Sequence, residues 1–198
     1  FAPQPEPAGT PVIMLAARML WDKGVGVLVE AARQLKNEIP VRVVLVGEPD
    51  PGNPGTVSSQ TLEKWNVEGI IEWWGWRPNM PEVYNQSHIV TLPTMYGEGV
   101  PTTLLEAAAC GRPLVASDIP GCRQVVLDGQ NGFLVPPNDP AALAQSLKRL
   151  VSDAALRGRM GAASRQLVMR KFTHAQVHAA TLEVYQQILG KTDIRNQP

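Results

Sequence analysis

Two carboxylates, Glu98 and Glu106, stand eight positions apart in the stretch from Tyr96 to Gly111, YGEGVPTTLLEAAACG. The second lies within a strongly helical run, so the pattern predicts a loop feeding a helix N-terminus. Pro101 suits the first turn, where its missing N–H costs nothing, and Thr102 to Ala109 are helix-compatible. The amides of Val100, Thr102 and Thr103 then point outward without intrahelical partners, and such an end attracts anions. A carboxylate cannot itself ligate a phosphate, so Glu98 and Glu106 are expected to accept hydrogen bonds from hydroxyls. An anion site bordered by two hydroxyl acceptors suits a sugar nucleotide.

Two cations extend this pattern. Arg18 and Lys23 lie five apart in RMLWDKG, ahead of Gly24 and Gly26, which allow backbone to approach a ligand. Facing the helix-end site they would neutralise a diphosphate, Arg by bidentate bonds and Lys as a point charge. Solvated loop charges are the bland alternative. The GVG here is no dinucleotide fingerprint, because Val29 stands where the third glycine would be, and no GxxxxGK[ST] or DxD occurs. No metal is therefore expected at the phosphates. Trp73 and Trp74 read as core residues, whereas Trp76 beyond them could line a base pocket. His174 and His178 have helical spacing but no carboxylate ligand beside them to complete a metal site. His88 is the one histidine near the strand-end loops, so no Ser-His-Asp or Cys-His set assembles. Glycoside hydrolysis by the glutamate pair does not fit phosphate-binding surroundings.

The elements that must position these residues are legible in the apolar pattern. Short apolar runs at Val12 to Ala17, Val41 to Gly47, Ile70 to Trp74, His88 to Pro93, Pro113 to Ser117 and Gly132 to Pro136 predict six strands. Helices are predicted between them: Val25 to Leu35, Val57 to Trp65, Asn79 to Ser87, the run after Pro101, and Gly121 to Leu127. A helical C-terminus follows, from an Asp139 N-cap to Val151, then Asp153 to Arg170 and Thr173 to Leu189. This alternation implies an α/β fold, a Rossmann-like doubly wound parallel sheet of about six strands with flanking helices. Ligands of such sheets lie at the carboxyl ends of the strands, which directs attention to the loops after the first five.

The 198 residues suit one domain. Residues 1–11, FAPQPEPAGTP, with four prolines, read as an interdomain linker, leaving 12–198 as the folded unit. Lysine plus arginine equals aspartate plus glutamate at 18 each, so no net field recruits nucleic acid or an acidic membrane. Cys110 and Cys122 lack metal-site spacing and fit two reduced, buried thiols. No apolar run is long enough to span a membrane, which with the thiols leads to an expectation of a cytoplasmic protein.

The segments EGVPTTLLEAAACGRPLVASDIPG, DGQNGFLVPPND and RMLWDKG together resemble the nucleotide-sugar-binding half of a group 1 (family 4) glycosyltransferase of the GT-B fold, over nearly the whole chain from Val12 to about Leu189. That resemblance implies catalytic roles for Glu98, Arg18 and Lys23: Glu98 near the donor sugar's reacting centre, the two cations on the diphosphate and the leaving nucleotide. It implies that Glu106 holds ribose hydroxyls, that amides of Gly99, Val100, Pro101 and Thr102 form the phosphate or sugar cradle, with Pro101 contributing only its rigid turn, and that Gly47 and the segment Gly75, Trp76 and Arg77 approach the nucleotide. It further implies transfer with retention, without metal or other cofactor, from a nucleoside-diphosphate sugar. A missing N-terminal domain would bind the acceptor and carry any association with the cytoplasmic face of the inner membrane. The pathway implied is polysaccharide or lipopolysaccharide synthesis, and the isolated half is expected to bind donor without turnover. Thr94 and Val100 depart from the family's usual serine and phenylalanine. A sugar-nucleotide epimerase domain and a noncatalytic nucleotide-binding module are the alternatives.

Overall fold

The computed structural model describes residues 1–97 and 99–192. Six strands, β1 (Val12–Ala16), β2 (Arg42–Val46), β3 (Glu72–Gly75), β4 (Ile89–Leu92), β5 (Leu114–Ser117) and β6 (Gly132–Val135), form one parallel sheet in the order β3-β2-β1-β4-β5-β6. The helices are α1 (Val25–Lys36), α2 (Ser59–Val67), α3 (Met80–Asn85), α4 (Thr102–Ala109), α5 (Pro120–Arg123), α6 (Pro140–Ser152), α7 (Ala154–Lys171) and α8 (His174–Thr192).

Apolar runs without polar alternation become strands here because both faces are covered. Ile13 and Leu15 of β1, with Val43 and Leu45 of β2, pack into a core with α1, α2 and α6. Val12, Met14 and Ala16, with Val44 and Val46, face the opposite core, which α3, α4 and α7 contribute to. Trp73 and Trp74 follow the same alternation and pack on opposite faces.

Local chemistry explains the helix starts. Asp139 accepts from the Ala142 N–H, as its position before Pro140 predicts, and Asp153 does the same for Leu156. Ser58 caps α2 through the Thr61 N–H, so that helix begins after Val57, which is buried and bonded through its N–H to the Met19 carbonyl. Thr173 and Gln176 close a reciprocal capping box at α8. Helix α5 is a single turn and stops short of the predicted Leu127, because Asn131 draws the next segment inward by accepting from the Leu127 N–H and donating to the Val125 carbonyl. Both cysteines are buried and neither is in a disulfide.

The proline-rich start is docked along the domain. Glu6 pairs with Arg157, which is only 7% exposed, through two 2.9 Å hydrogen bonds. Arg112 donates to the Gln4 carbonyl, Asn85 to the Ala2 carbonyl and Arg165 to the Phe1 carbonyl. His88 completes the set. It precedes β4, at the opposite end of the strand from the ligand-facing loops, so it is not a neighbour of the site. Its Nδ1 accepts from the Val12 N–H and its Nε2 donates to the Pro7 carbonyl, both at 3.0 Å.

Burial pushes the His88 pKa below its ordinary value of 6.5, opposed in part by Glu6 and reinforced by Arg157. A base with a depressed folded pKa stabilises fully above the unfolded value, and that contribution is lost as pH falls from there toward the folded value. Denaturant titrations should therefore show stability dropping below about pH 6.5, with a slope of at most about 1.4 kcal/mol per pH unit from this group. In His88→Asn, whose amide oxygen can take the place of Nδ1 in accepting from Val12 and which does not titrate, that part of the slope should vanish.

Candidate functional site

The chain order places β1 between β2 and β4, so the chain turns from one side of β1 to the other and leaves a crevice at its carboxyl end. The loops there are joined backbone to backbone. Ala17 N–H donates to the Val46 carbonyl, Met19 N–H to the Glu48 carbonyl and Trp21 N–H to the Gly55 carbonyl, tying the loop after β1 to that after β2. On the other side, the Asp22 carbonyl accepts from the Met95 N–H at 2.8 Å and from the Thr94 hydroxyl at 2.9 Å. A serine would supply the same hydroxyl, so Thr94 keeps this contact.

Two glycines permit the approaches. At Gly24, φ is +75° and a Cβ would lie 1.9 Å from the Pro93 carbonyl oxygen. At Gly47, φ is +132° and a Cβ would lie 1.9 Å from that of Ala17. The close contact at Gly24 is thus with protein rather than ligand, and Gly26 likewise abuts the Trp21 ring.

Two adjoining cavities open on this rim and share Ala17, Arg18 and Thr103. The larger, about 420 Å³, is lined by Arg18, Gly47, Glu48, Asp50, Trp76, Arg77, Tyr84 and Glu106 among others. The smaller, about 190 Å³, is lined by Arg18, Lys23, Pro101, Thr102 and Thr103 with Ala17 and Leu92. Their electrostatics differ. Two arginines and three carboxylates line the large cavity, whereas the described residues lining the small one include two cations and no carboxylate.

Helix α4 begins at Thr102, with Pro101 as its N-cap rather than in its first turn. Pro101 offers no side-chain cap, and its carbonyl accepts from the N–H groups of Leu104 and Leu105. The amides of Thr102 and Thr103 have no partner within the helix and stand at its positive end. The Thr103 hydroxyl donates to the Ala16 carbonyl at 2.9 Å, seating this helix end on the end of β1.

Arg18 bridges both cavities and forms a 2.7 Å ion pair with Asp50 while remaining 62% exposed. Glu106 accepts from the Tyr84 hydroxyl at 3.1 Å. Burial, and then the Glu106 charge, push the Tyr84 pKa well above its ordinary value, so the phenol stays a donor. Trp76, 66% exposed, has its N–H bonded to Glu48 Oε1 at 2.9 Å. Trp73 Nε1 donates to the Gly47 carbonyl, fixing the loop behind that wall.

Most of the residues singled out from sequence therefore meet in one crevice: Arg18, Gly47, Trp76, Arg77 and Glu106 in its larger part, Lys23, Pro101 and Thr102 in its smaller. Three do not line it. Gly75 faces the Glu48 carboxylate, and Gly99 and Val100 are exposed ahead of α4. The loop after β5 also stays outside both cavities. Glu98 lies outside the described residues. Sequence reasoning did not single out Glu48, Asp50 or Tyr84, and named Thr103 for its amide but not for the hydroxyl that seats α4 on β1. The turn-rich loop after β2 marked the first two as a region, but no spacing marked Tyr84. Among the described residues no cluster of three or more His, Cys, Asp or Glu could hold a metal, and no helix is long and apolar enough to cross a membrane.

Residues 10–153 match the family model described as glycosyl transferases group 1. Among curated proteins, the chain is 33% identical over 147 residues to the N,N'-diacetylbacillosaminyl-diphospho-undecaprenol alpha-1,3-N-acetylgalactosaminyltransferase of Campylobacter jejuni, covering 74% of this chain and 37% of that protein. It is 34% identical over 197 residues to the D-inositol 3-phosphate glycosyltransferase of Xylanimonas cellulosilytica, covering 96% of this chain and 45% of that protein. Among solved structures, Anabaena HepE in complex with UDP superposes with a TM-score of 0.81 at 22% identity, over 89% of this chain and 48% of that one, which shows a shared fold. The chain thus spans less than half the length of these proteins. With a family match over most of its residues, this chain belongs to the group 1 glycosyltransferases.

Proposed function

We propose that this chain is the donor-binding, C-terminal half of a retaining glycosyltransferase that moves a sugar from a nucleoside-diphosphate sugar to an acceptor. The observation that carries this reading is the division of the crevice. The small part offers Arg18, Lys23 and the N-terminal amides of α4, a setting for a diphosphate. The large part offers the Trp76 face, the Gly47 turn and the Glu106 carboxylate, a setting for a base and a ribose. The boundary between them is Arg18, where a nucleoside joins its diphosphate.

In the transfer, the bond from the sugar's anomeric carbon to the terminal phosphate oxygen breaks with its electron pair going to that oxygen, a bond from the anomeric carbon to the acceptor's hydroxyl oxygen forms, and the acceptor's proton leaves with the diphosphate. Arg18, Lys23 and the α4 amides stabilise the charge that develops on the leaving diphosphate, without need of a metal. Asp50 must yield Arg18 when phosphate arrives. That costs little, because an exposed ion pair is worth roughly 1 kcal/mol or less. Glu98 follows in this reading as the group near the reacting centre, and Gly99 and Val100 as backbone close to the sugar.

The other half supplies the acceptor site, with residues 1–11 as the connection to it, so this half alone binds donor without turnover. The C. jejuni relative is named for an acceptor linked to diphospho-undecaprenol and an Escherichia coli relative for colanic acid biosynthesis, which together support a role in cell-envelope polysaccharide assembly. The full-length enzyme then works in the cytoplasm, against the inner membrane through its other half.

Calorimetric titration with UDP, GDP and ADP tests this reading, since a half built to hold a nucleoside diphosphate should bind at least one of them. Absence of binding to all three would overturn it. Glu106→Gln should weaken that binding by about 1–3 kcal/mol through the lost charge on a hydroxyl acceptor. Lys23→Ala should weaken it at low salt and much less at 1 M, where the screening length falls to about 3 Å; a loss independent of salt would remove Lys23 from the phosphates.

A further inference from the structure

Tyr84 lies on α3 and Glu106 on α4, two helices on the same face of the sheet, and both side chains line the large cavity. The Tyr84 hydroxyl, on a residue only 1% exposed, donates to Glu106 Oε2 at 3.1 Å. Among the described residues this is the one side-chain hydrogen bond that Glu106 makes, and no ion pair engages it. A glutamate at a cavity wall with no such tether would spread over several rotamers, and ordering it on ligand binding would cost side-chain entropy. A neutral donor on one oxygen holds the carboxylate without neutralising it, as a cation would. Tyr84 is itself held, buried in the core beside α4 with its ring 6.3 Å from that of Phe1.

We infer that Tyr84 is a positioning residue for nucleotide recognition, its hydroxyl holding the Glu106 carboxylate where it meets the ribose hydroxyls. The inference rests on the reading of Glu106 as a hydroxyl acceptor. A merely structural tyrosine would need only some acceptor for its buried hydroxyl. Here the acceptor is a cavity-lining carboxylate, and the donor comes from a different helix, so the bond sets one wall of the site against another.

The experiment compares a nucleoside diphosphate that binds this chain with its 2′,3′-dideoxy analogue, in the unmodified chain and in Tyr84→Phe, which keeps the ring and its packing. The unmodified chain should prefer the ribose form. Tyr84→Phe should lose about fivefold or more of its affinity for that form and little for the analogue, consistent with removal of a hydrogen bond to a charged group. Adding Tyr84→Phe to Glu106→Gln should then cost little beyond Glu106→Gln alone, because both act through one contact. Equal weakening of both nucleotides, or an unchanged preference for ribose, would overturn the positioning role. Equal affinity of the unmodified chain for both nucleotides would instead overturn the reading of Glu106, and the inference with it.

Discussion

A parallel sheet satisfies its backbone by ladder bonds only along the strands; where the chain leaves a strand inside a covered structure, its N–H and C=O groups must find partners elsewhere. At the carboxyl end of β1 they find them in neighbouring loops. Ala17, Met19 and Trp21 bond into the loop after β2, and Asp22 accepts from the loop after β4. Gly47 N–H donates to the Gly75 carbonyl, extending the same chain of bonds to β3. The crevice is the space these bonds leave between loops they hold apart.

Rigidity at that rim follows from where the glycines are. Gly24 and Gly47 put one loop's backbone against the carbonyl oxygen of another, at distances that leave no room for a side chain. The backbone at Arg18 and Lys23 is thereby set, and the Thr103 bond to Ala16 sets the start of α4. In the proposed reading this preorganises the electrostatics of the site, with the Arg18 side chain alone exchanging partners, from Asp50 to phosphate.

Much of this was legible in the sequence, for reasons that depend on short-range rules. Short apolar runs without alternation, such as VIMLA and RVVLV, have the length and β-branched content of strands covered on both faces, and Asp139 before Pro140 and an amphipathic run has the pattern of a helix start. Glu106 was legible because a helical run fixes its distance from the helix start. Tyr84 was not, because its hydroxyl finds Glu106 across 22 positions and through the packing of two helices. Gly24 and Gly26 showed that an approach was needed without showing to what. Residues 1–11 illustrate the same limit: their prolines predict extended chain, and that is what docks, but the partners Arg112, Arg157 and Arg165 lie more than 100 positions away.

That docking bears on how such proteins can be recombined. A chimera that joins this domain to a foreign partner would ordinarily be cut in a proline-rich segment. Here a cut between Glu6 and Val12 would strip the carboxylate from the buried Arg157 and the carbonyl from His88. The exchangeable unit therefore begins ahead of Glu6, so that residues 6–11 travel with the domain on which they dock.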